Sequence, residues 1–130
     1  MHTYSTSHNL GQAGEHSAQQ WCSQHHLQVL ETNYVAPQTR TEIDIIAQDT
    51  ATAEIVFLEV KTRSTSHHGW PEEAVHFRKQ QKIRQAAIQW LADIRESDPQ
   101  FGYPELRFDV LALIGSVQEG FVAKHYRGVF

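Results

Sequence analysis

The chain has 130 residues, about the length of one domain, so we expect any activity to be built into a single fold. One cysteine excludes an internal disulfide framework, and no run approaches the roughly 20 apolar residues of a membrane span. Eleven Lys and Arg against fifteen Asp and Glu give a formal charge of −4, which argues against avid non-specific binding to nucleic-acid phosphates. Residues 1–8 lack the order of a signal peptide, and we expect them to be a flexible terminus of a cytoplasmic protein whose one domain is residues 9–130.

The first predicted element is a helix from Asn9 to about His25. Asn9 followed three positions later by Gln12 resembles a capping box, which favours a helix start. Glu15 lies at the edge of the apolar face, where it could flank a cleft, but its spacing is equally consistent with a solvated acid of the first turn. The apolar and small residues that share one face at helical spacing are Leu10, Gly14, Ala18 and Trp21.

Three strands are predicted next. Residues 27–35 alternate imperfectly in polarity, and Pro37 closes this first strand. Residues 42–47 and 54–61 are rich in β-branched or aromatic side chains, and the polar residues 48–53 separate them. The second and third strands are therefore predicted to form an antiparallel hairpin.

Both hairpin strands carry ionisable residues within apolar runs. A symmetric register sets Asp44 opposite Glu59 and Glu42 opposite Lys61, so that all four share one face. Like charges at such cross-strand distances destabilise a sheet unless a counter-ion lies between them, and two carboxylates suit Mg²⁺. The alternative is a surface ion pair of Glu59 and Lys61 on an edge strand. The opposite face is predicted to carry Ile43, Ile45, Val56, Leu58 and Val60.

A long second helix is predicted from His76 to about Ile94. Pro71, upstream of it, suits a first helical position, and the intervening loop contains His67 and His68. The first turns are rich in bases, which opposes the helix dipole and suggests that the bases face an anion, although a solvated polar face is the alternative. These bases are Arg78, Lys79 and Lys82, and the neutral Gln80 lies between the two lysines. The apolar positions that keep the helical period are Ile83, Ala86, Ala87, Trp90, Leu91 and Ile94.

Two strands complete the predicted fold. Residues 107–114 form an apolar strand that Gly115 is expected to end, and residues 117–126 can supply one more strand. The predicted order αβββαββ corresponds to an α/β domain in which a mixed β-sheet is flanked by helices.

The residues resemble a known nuclease superfamily. Asp44 on one strand, followed about fifteen residues later by Glu59-Val60-Lys61 on the next, is similar to the PD-(D/E)xK motif of restriction-endonuclease-like folds. The uncharacterised bacterial YraN family, which the chain also resembles, usually has Gly in place of Thr41, a difference that affects a turn and removes no expected ligand. The segments that resemble the uncharacterised bacterial YraN family, in order and over nearly the whole chain, are residues 11–15, 41–47, 57–63 and 107–110. That family is similar in fold to archaeal Holliday-junction resolvases.

The resemblance implies a metal-dependent endonuclease. Asp44, Glu59, the Val60 carbonyl and Glu15 would bind Mg²⁺ or Mn²⁺, and the cation would lower the pKa of a bound water. Lys61 would orient the attacking water and stabilise charge on the phosphate, because service as a base requires a strongly lowered pKa that nearby acids oppose. A secondary candidate for positioning the nucleophile or Lys61 is Gln80.

A local basic rim would bind the substrate despite the net negative charge, since acids at a metal site stop repelling phosphate once a cation is bound. Such backbone contacts give affinity without sequence information, so we expect a preference for a DNA structure in repair or recombination, with DNA favoured over RNA. A homodimer is expected only by analogy with the resolvases. The expected phosphate-binding residues are Arg63, Arg78, Lys79 and Lys82.

Two other interpretations remain. A catalytically idle nucleic-acid-binding module would keep the fold and act through protein partners, although the intact Asp44, Glu59 and Lys61 argue against it. A transition-metal site built from the nine histidines is the third, but adjacent residues such as His25 and His26 do not face one ligand sphere.

Overall fold

A computed structural model describes residues 5–64 and 77–130, with side chains from residue 11 onward. The order of the main elements is αβββαββ, as the sequence predicts, and a short 3-10 helix, Pro99–Phe101, follows the second helix. The helices are α1, Ser5–Gln24, and α2, Phe77–Ser97. The strands are β1, Leu27–Val35; β2, Glu42–Asp49; β3, Ile55–Arg63; β4, Leu106–Ser116; and β5, Gly120–Tyr126.

The five strands form one mixed sheet in the order β1-β2-β3-β4-β5. Only β3 and β4 are parallel among these neighbours, because the connection between them crosses the sheet through α2. Two helices flank the sheet, and the architecture is consistent with a restriction-endonuclease-like core. Neither helix of the described residues is sufficiently long and apolar to cross a membrane.

Each face of the sheet is buried against one helix. On one face, Phe57 and Val110 pack with Ile83 and Trp90 of α2, and the Phe57 and Trp90 rings meet edge to face. On the other face, the α1 residues Ala18 and Cys22 pack against β2, β3 and β4. Successive residues of β3 therefore serve opposite cores: odd-numbered residues such as Phe57 face α2, and even-numbered residues face α1.

The predicted register of the hairpin is confirmed where β2 and β3 are paired. One further step of the same register sets Asp44 against Glu59, at the point where the ladder ends. The four pairs are Ile45 with Leu58, Ile46 with Phe57, Ala47 with Val56, and Gln48 with Ile55.

The prediction for Ile43 is wrong. Regular alternation would place Ile43 and Ile45 on one face, but Ile43 packs in the α2 core with Ile83 while Ile45 packs in the α1 core. Ile43 lies beyond the end of the β2–β3 ladder and pairs with Tyr34 of β1. The neighbouring Asn33 has a φ of 53°, which interrupts the pleat of β1 at this point.

Two predicted boundaries also differ. The helix start at Asn9 is wrong, because α1 begins at Ser5 and thus includes four residues assigned to a flexible terminus. Ser and Thr before Asn9 are equally good cap types, so residue type did not distinguish the starts. Gly115 does not end β4, which continues to Ser116; Gly115 pairs with Phe121 at a φ of 150°. The predicted start of α2 at His76, with Pro71, lies outside the described residues.

A close contact holds α1 on the sheet. A side chain at Gly14 would collide with the Thr62 side chain on the α1 face of β3. Glycine therefore lets the helix backbone approach the strand. This approach places the first turns of α1 on the face opposite to Glu59 and Lys61.

Segment 107–110, one of the segments that resemble the YraN family, contributes Arg107 and Asp109 to a buried ionic network. Arg107 donates to Asp49 Oδ2 at 2.9 Å, to Glu54 Oε1 at 2.7 Å and to Asp109 Oδ1 at 3.0 Å. Asp109 is fully buried, and His125 Nε2 lies 2.7 Å from its Oδ2. The network joins the turn end of the hairpin to β4 and β5 on the α1 face.

Candidate active site

Asp44 is fixed by the neighbouring strand. The Val60 N–H donates to Asp44 Oδ2 at 2.8 Å, just beyond the last backbone pair of the hairpin. A carboxylate thus accepts a backbone donor of β3 at the point where β2 and β3 cease to pair. This bond orients one oxygen of Asp44 toward β3 and brings the side chain beside Glu59.

Asp44 and Glu59 form a mutually repelling pair. Burial, a hydrogen bond with Glu59 and repulsion by its charge raise the pKa of Asp44 to about 8, although the Val60 N–H lowers it. Glu59 is only 7% exposed, so solvent does little to screen the pair. Without a cation, Asp44 therefore holds a proton near neutral pH.

Glu59 faces a lysine of α2. Lys79 Nζ lies 3.1 Å from Glu59 Oε2, which makes an ion pair, but the angles are not those of a hydrogen bond. Glu59 Oε2 is buried and takes no hydrogen bond from the described residues. Burial would lower the pKa of Lys79, but attraction to Glu59 outweighs this effect and raises it. A buried carboxylate oxygen therefore lacks a directional partner and faces a positive charge.

Lys61 lies beside this ion pair and is half-buried. Burial lowers the pKa of Lys61, and repulsion by Lys79 adds to the effect, whereas Glu59 and Asp44 oppose it. The nearby acids oppose the lowered pKa, as the sequence predicts, but burial outweighs them. Lys79 adds a positive charge that the sequence did not place there. Lys61 is thus closer to a neutral amine than an exposed lysine is.

The acids open into a pocket of about 370 Å³ between the β1–β2 turn, the hairpin and α2, which we call the acidic pocket. The turn places Arg40 at its rim with a φ of 62°, and Arg40 N donates to Ala36 O at 2.8 Å. Arg40, and not Thr41, adopts the left-handed conformation in this turn. The acidic pocket is lined by Thr39, Arg40, Thr41, Glu42, Asp44, Glu59, Lys79 and Lys82.

The structure brings some of the predicted site residues together and not others. Glu15 is exposed on α1, and no hydrogen bond or ion pair within the described residues joins it to Asp44 or Glu59. Gln80 is half-buried in the second turn of the described part of α2 but does not line the acidic pocket. The roles predicted for both residues remain predictions.

The predicted phosphate-binding residues divide into two groups. Lys79 and Lys82 line the acidic pocket, and Lys79 contacts a predicted metal ligand directly. Arg78 is exposed at the start of α2, and Arg63 is half-buried at the end of β3, where its Nη1 donates to Thr62 O at 3.4 Å. The sequence indicated a basic helix start but not the Lys79–Glu59 contact, because only the crossover from β3 to α2 determines which turn of the helix meets Glu59.

Asp44 and Glu59 fit a divalent cation. Two facing carboxyl groups, one with an oxygen that lacks a hydrogen bond, are the oxygen ligands that Mg²⁺ and Mn²⁺ prefer. In residues 5–64 and 77–130, no group of three or more His, Cys, Asp or Glu side chains is arranged to hold a metal. A cation at this position would thus depend on two acids together with backbone, water or substrate oxygens. The same finding gives no support, within these ranges, to a histidine site around His25 and His26.

Comparison with known proteins places the chain in a family. The model of a family described as Uncharacterised protein family UPF0102 matches residues 14–113. A UPF0102 protein of Geobacter metallireducens is 42% identical over 110 residues, which are 85% of this chain and 83% of the relative. A UPF0102 protein of Photobacterium profundum is 39% identical over 84% of this chain and 82% of its own length. A UPF0102 protein of Acidothermus cellulolyticus is 35% identical over 98% of both chains.

Proposed function

Since the chain belongs to the uncharacterised protein family UPF0102, which is the YraN family that its sequence resembles, we propose its function from the residues of the site. The chain is a divalent-metal-dependent phosphodiesterase that cleaves structured DNA as an endonuclease in repair or recombination. The family description names no activity, and the residues that support this function are Asp44, Glu59 and the lysines around them.

One observation carries the proposal. Asp44 and Glu59 meet in a buried position, where burial, a hydrogen bond with Glu59 and repulsion by its charge raise the pKa of Asp44 to about 8. Two buried acids that face each other do not stabilise a protein. Pairs of this kind, with strongly shifted pKa values, are concentrated at functional sites. The arrangement is explained by a cation that binds between the acids and favours the ionised form of both.

The ligands proposed for Mg²⁺ or Mn²⁺ are the carboxylates of Asp44 and Glu59 and the backbone carbonyl of Val60. A bound cation of this kind supplies a water of lowered pKa and a positive charge against the scissile phosphate. The Val60 N–H already holds Asp44, so β3 supports both acids through one short segment. Glu15, exposed on α1, is the further ligand that the resemblance implies.

Lys61 and Lys79 complete the proposed site. Lys61 lies two residues from Glu59 on the α2 face, where its ammonium can orient the attacking water and stabilise charge on the phosphate. Its lowered pKa also permits proton transfer at a less alkaline pH than an exposed lysine would require. Lys79 holds Glu59 before a cation binds and is free to contact the phosphate afterwards.

The substrate side of the proposal follows from the charges around the acidic pocket. Lys82 and Arg40 line the pocket, and Arg63 and Arg78 lie at the ends of β3 and α2. Guanidinium and ammonium groups that contact phosphates hold the nucleic-acid backbone in register without distinguishing base sequence. We therefore propose recognition of a DNA structure such as a branch, a flap or an end, with RNA as the second substrate class and a homodimer required for paired cuts.

The test is cleavage of labelled single-stranded, duplex, flap and four-way-junction DNA, and of matched RNA, with Mg²⁺ or Mn²⁺. Wild type is compared with Asp44→Asn and Lys61→Ala, and Glu96→Gln, an exposed acid at the end of α2, is the control. We expect metal-dependent cleavage that falls by at least about 100-fold in both site variants and not in the control. Metal-dependent binding without cleavage by wild type would instead support the idle nucleic-acid-binding module.

A further inference from the structure

A second pocket adjoins the acidic pocket. It has a volume of about 300 Å³, at the lower end for small-ligand sites, and we call it the amide pocket. The two pockets share Thr39 of the β1–β2 turn as a lining residue, so they lie side by side along α2. The amide pocket is lined by Ala36, Gln38, Thr39, Gln85 and Gln89.

One stripe of α2 runs through both pockets and changes character along its length. Lys82 lies in the acidic pocket, and Gln85 and Gln89 follow it at three and seven residues, which places all three on one face of the helix. A helix rises about 1.5 Å per residue, so the stripe from Lys82 to Gln89 spans roughly 10 Å, the length of a few stacked nucleotides. The lining thus changes from positively charged side chains to neutral glutamine amides over the length of a short nucleic-acid strand.

The chemistry of the amide pocket suits a nucleobase better than a phosphate. A phosphate offers only acceptors and is held best by Lys and Arg, neither of which is among the five described lining residues. Glutamine amides both donate and accept, as the edges of bases do, and Ala36, 2% exposed, gives the pocket an apolar floor. Asp93 accepts from Gln89 Nε2 at 3.0 Å, and its negative charge disfavours a phosphate at that end.

We propose that the amide pocket binds the base of the nucleotide next to the scissile phosphate, and this inference rests on the proposed function. A base inside a duplex is stacked and paired, so it can enter such a pocket only from a single-stranded or unpaired position. The substrate class is therefore nucleic acid with an unpaired nucleotide beside the cleavage site, and Gln85 and Gln89 are the residues that determine this preference.

The test separates base binding from hydrolysis. Fluorescence anisotropy measures the affinity of the Asp44→Asn chain, with Mn²⁺, for a labelled flap whose junction nucleotides are intact or abasic, in DNA and in RNA. The same flaps are measured with Gln85→Ala and Gln89→Ala added together, and with Gln81→Ala, an exposed glutamine of α2 outside the amide pocket, as the control.

We expect one abasic position to weaken binding about five- to twentyfold in the Asp44→Asn chain and in the Gln81→Ala control, the effect of losing two or three hydrogen bonds. The ratio of the affinities for intact and abasic flaps should fall below about twofold when Gln85 and Gln89 are both replaced. Equal affinity for intact and abasic flaps, or discrimination that survives the double replacement, overturns the inference. Discrimination without any cleavage by wild type supports base binding while the proposed hydrolysis fails, and absence of binding to every flap overturns both.

Discussion

Lys79 Nζ of α2 lies 3.1 Å from Glu59 Oε2 of β3, so a lysine occupies the position from which a cation would neutralise the buried acid. The two residues are joined across the crossover between β3 and β4, and they connect the helix to the acid pair. The charge of Glu59 is therefore balanced by a lysine of the protein itself. The contact predicts opposite effects of Lys79 on metal and on nucleic acid.

Replacement of Lys79 by Met should strengthen divalent-metal binding and weaken nucleic-acid binding. The half-exposed ion pair contributes about 1 kcal/mol, so we expect a roughly three- to tenfold gain in Mn²⁺ affinity when Lys79 no longer competes for Glu59. Calorimetry and anisotropy measure the two affinities. Lys82→Met is the matched control, because Lys82 lines the same pocket without an ion pair to Glu59, and it should weaken nucleic-acid binding alone. A loss of metal affinity in Lys79→Met would show that Lys79 supports the cation site.

Asp44 should make the metal-free protein less stable as pH rises. Burial and Glu59 raise its folded pKa to about 8, above an unfolded value of about 4. The folded state therefore binds the proton more tightly, and the associated stability is complete below about pH 4 and is lost as pH rises through about 8. The slope is at most about 1.4 kcal/mol per pH unit.

Urea unfolding in the presence of a chelator, between pH 6 and 9, measures this effect as the difference in the free energy of unfolding between wild type and Asp44→Asn. The difference should grow with pH in favour of the variant, because asparagine does not ionise. Asp93→Asn, an exposed acid of α2, should track wild type. Curves for wild type and Asp44→Asn that stay parallel over this range would contradict the raised pKa.

Gly14→Ala should destabilise the fold by about 1–3 kcal/mol, because the new methyl group meets the Thr62 side chain. Thr62→Ala removes the colliding atoms, so the double variant should lose less stability than the sum of the two single losses. Gly11→Ala, in the same helix with nothing within 4 Å of the added carbon, should be neutral or stabilising by up to about 1 kcal/mol. Urea midpoints measure all four chains. Strict additivity of Gly14→Ala and Thr62→Ala would mean that the two residues do not touch.

Arg107→Met should cost about 3–5 kcal/mol at neutral pH, since it leaves the carboxylates of Asp49 and Asp109 buried without their main partner. Arg127 provides a matched control: its Nη2 lies 3.8 Å from Asp49 Oδ2 and its side chain is 57% exposed, so Arg127→Met should cost less than about 1 kcal/mol. Equal costs for the two replacements would contradict the network.

The same network predicts part of the acid sensitivity. Burial alone would raise the pKa of Asp49 and Asp109, but hydrogen bonds from Arg107 and His125 and from backbone donors outweigh it, and both pKa values are lowered. Their contribution is present above the unfolded pKa of about 4 and is lost as pH falls through the lower folded values. The stability difference between wild type and Arg107→Met should therefore shrink on acidification below about pH 4, as measured by urea unfolding.

Much of the fold was predictable because the periodicity of apolar residues within each segment agrees with the packing of that segment in the structure. The helical period from Ile83 to Ile94 and the symmetric hairpin around residues 48–53 each follow from neighbours in the chain. The alternation along the two hairpin strands and their symmetric register also predicted that Asp44 lies beside Glu59, without information about the rest of the sheet.

Features that depend on distant segments were not predictable in this way. The Lys79–Glu59 contact requires the crossover geometry, and the close approach of Gly14 to Thr62 requires the packing of α1 on the sheet. Ile43 lies in the α2 core although Ile45 lies in the α1 core, beside the point where Asn33 of the paired strand has a φ of 53°. Each of these outcomes was decided by contacts between elements and not by the pattern within one element.

Calorimetric titration of Mn²⁺ into the wild-type chain and into Asp44→Asn and Glu59→Gln is the decisive experiment for the proposed metal site, since it needs no substrate. We predict one cation per wild-type chain, an affinity at least about tenfold weaker in each variant, and unchanged binding in Glu96→Gln. Wild-type binding that is absent, or that both replacements leave unaltered, would contradict a metal site at Asp44 and Glu59.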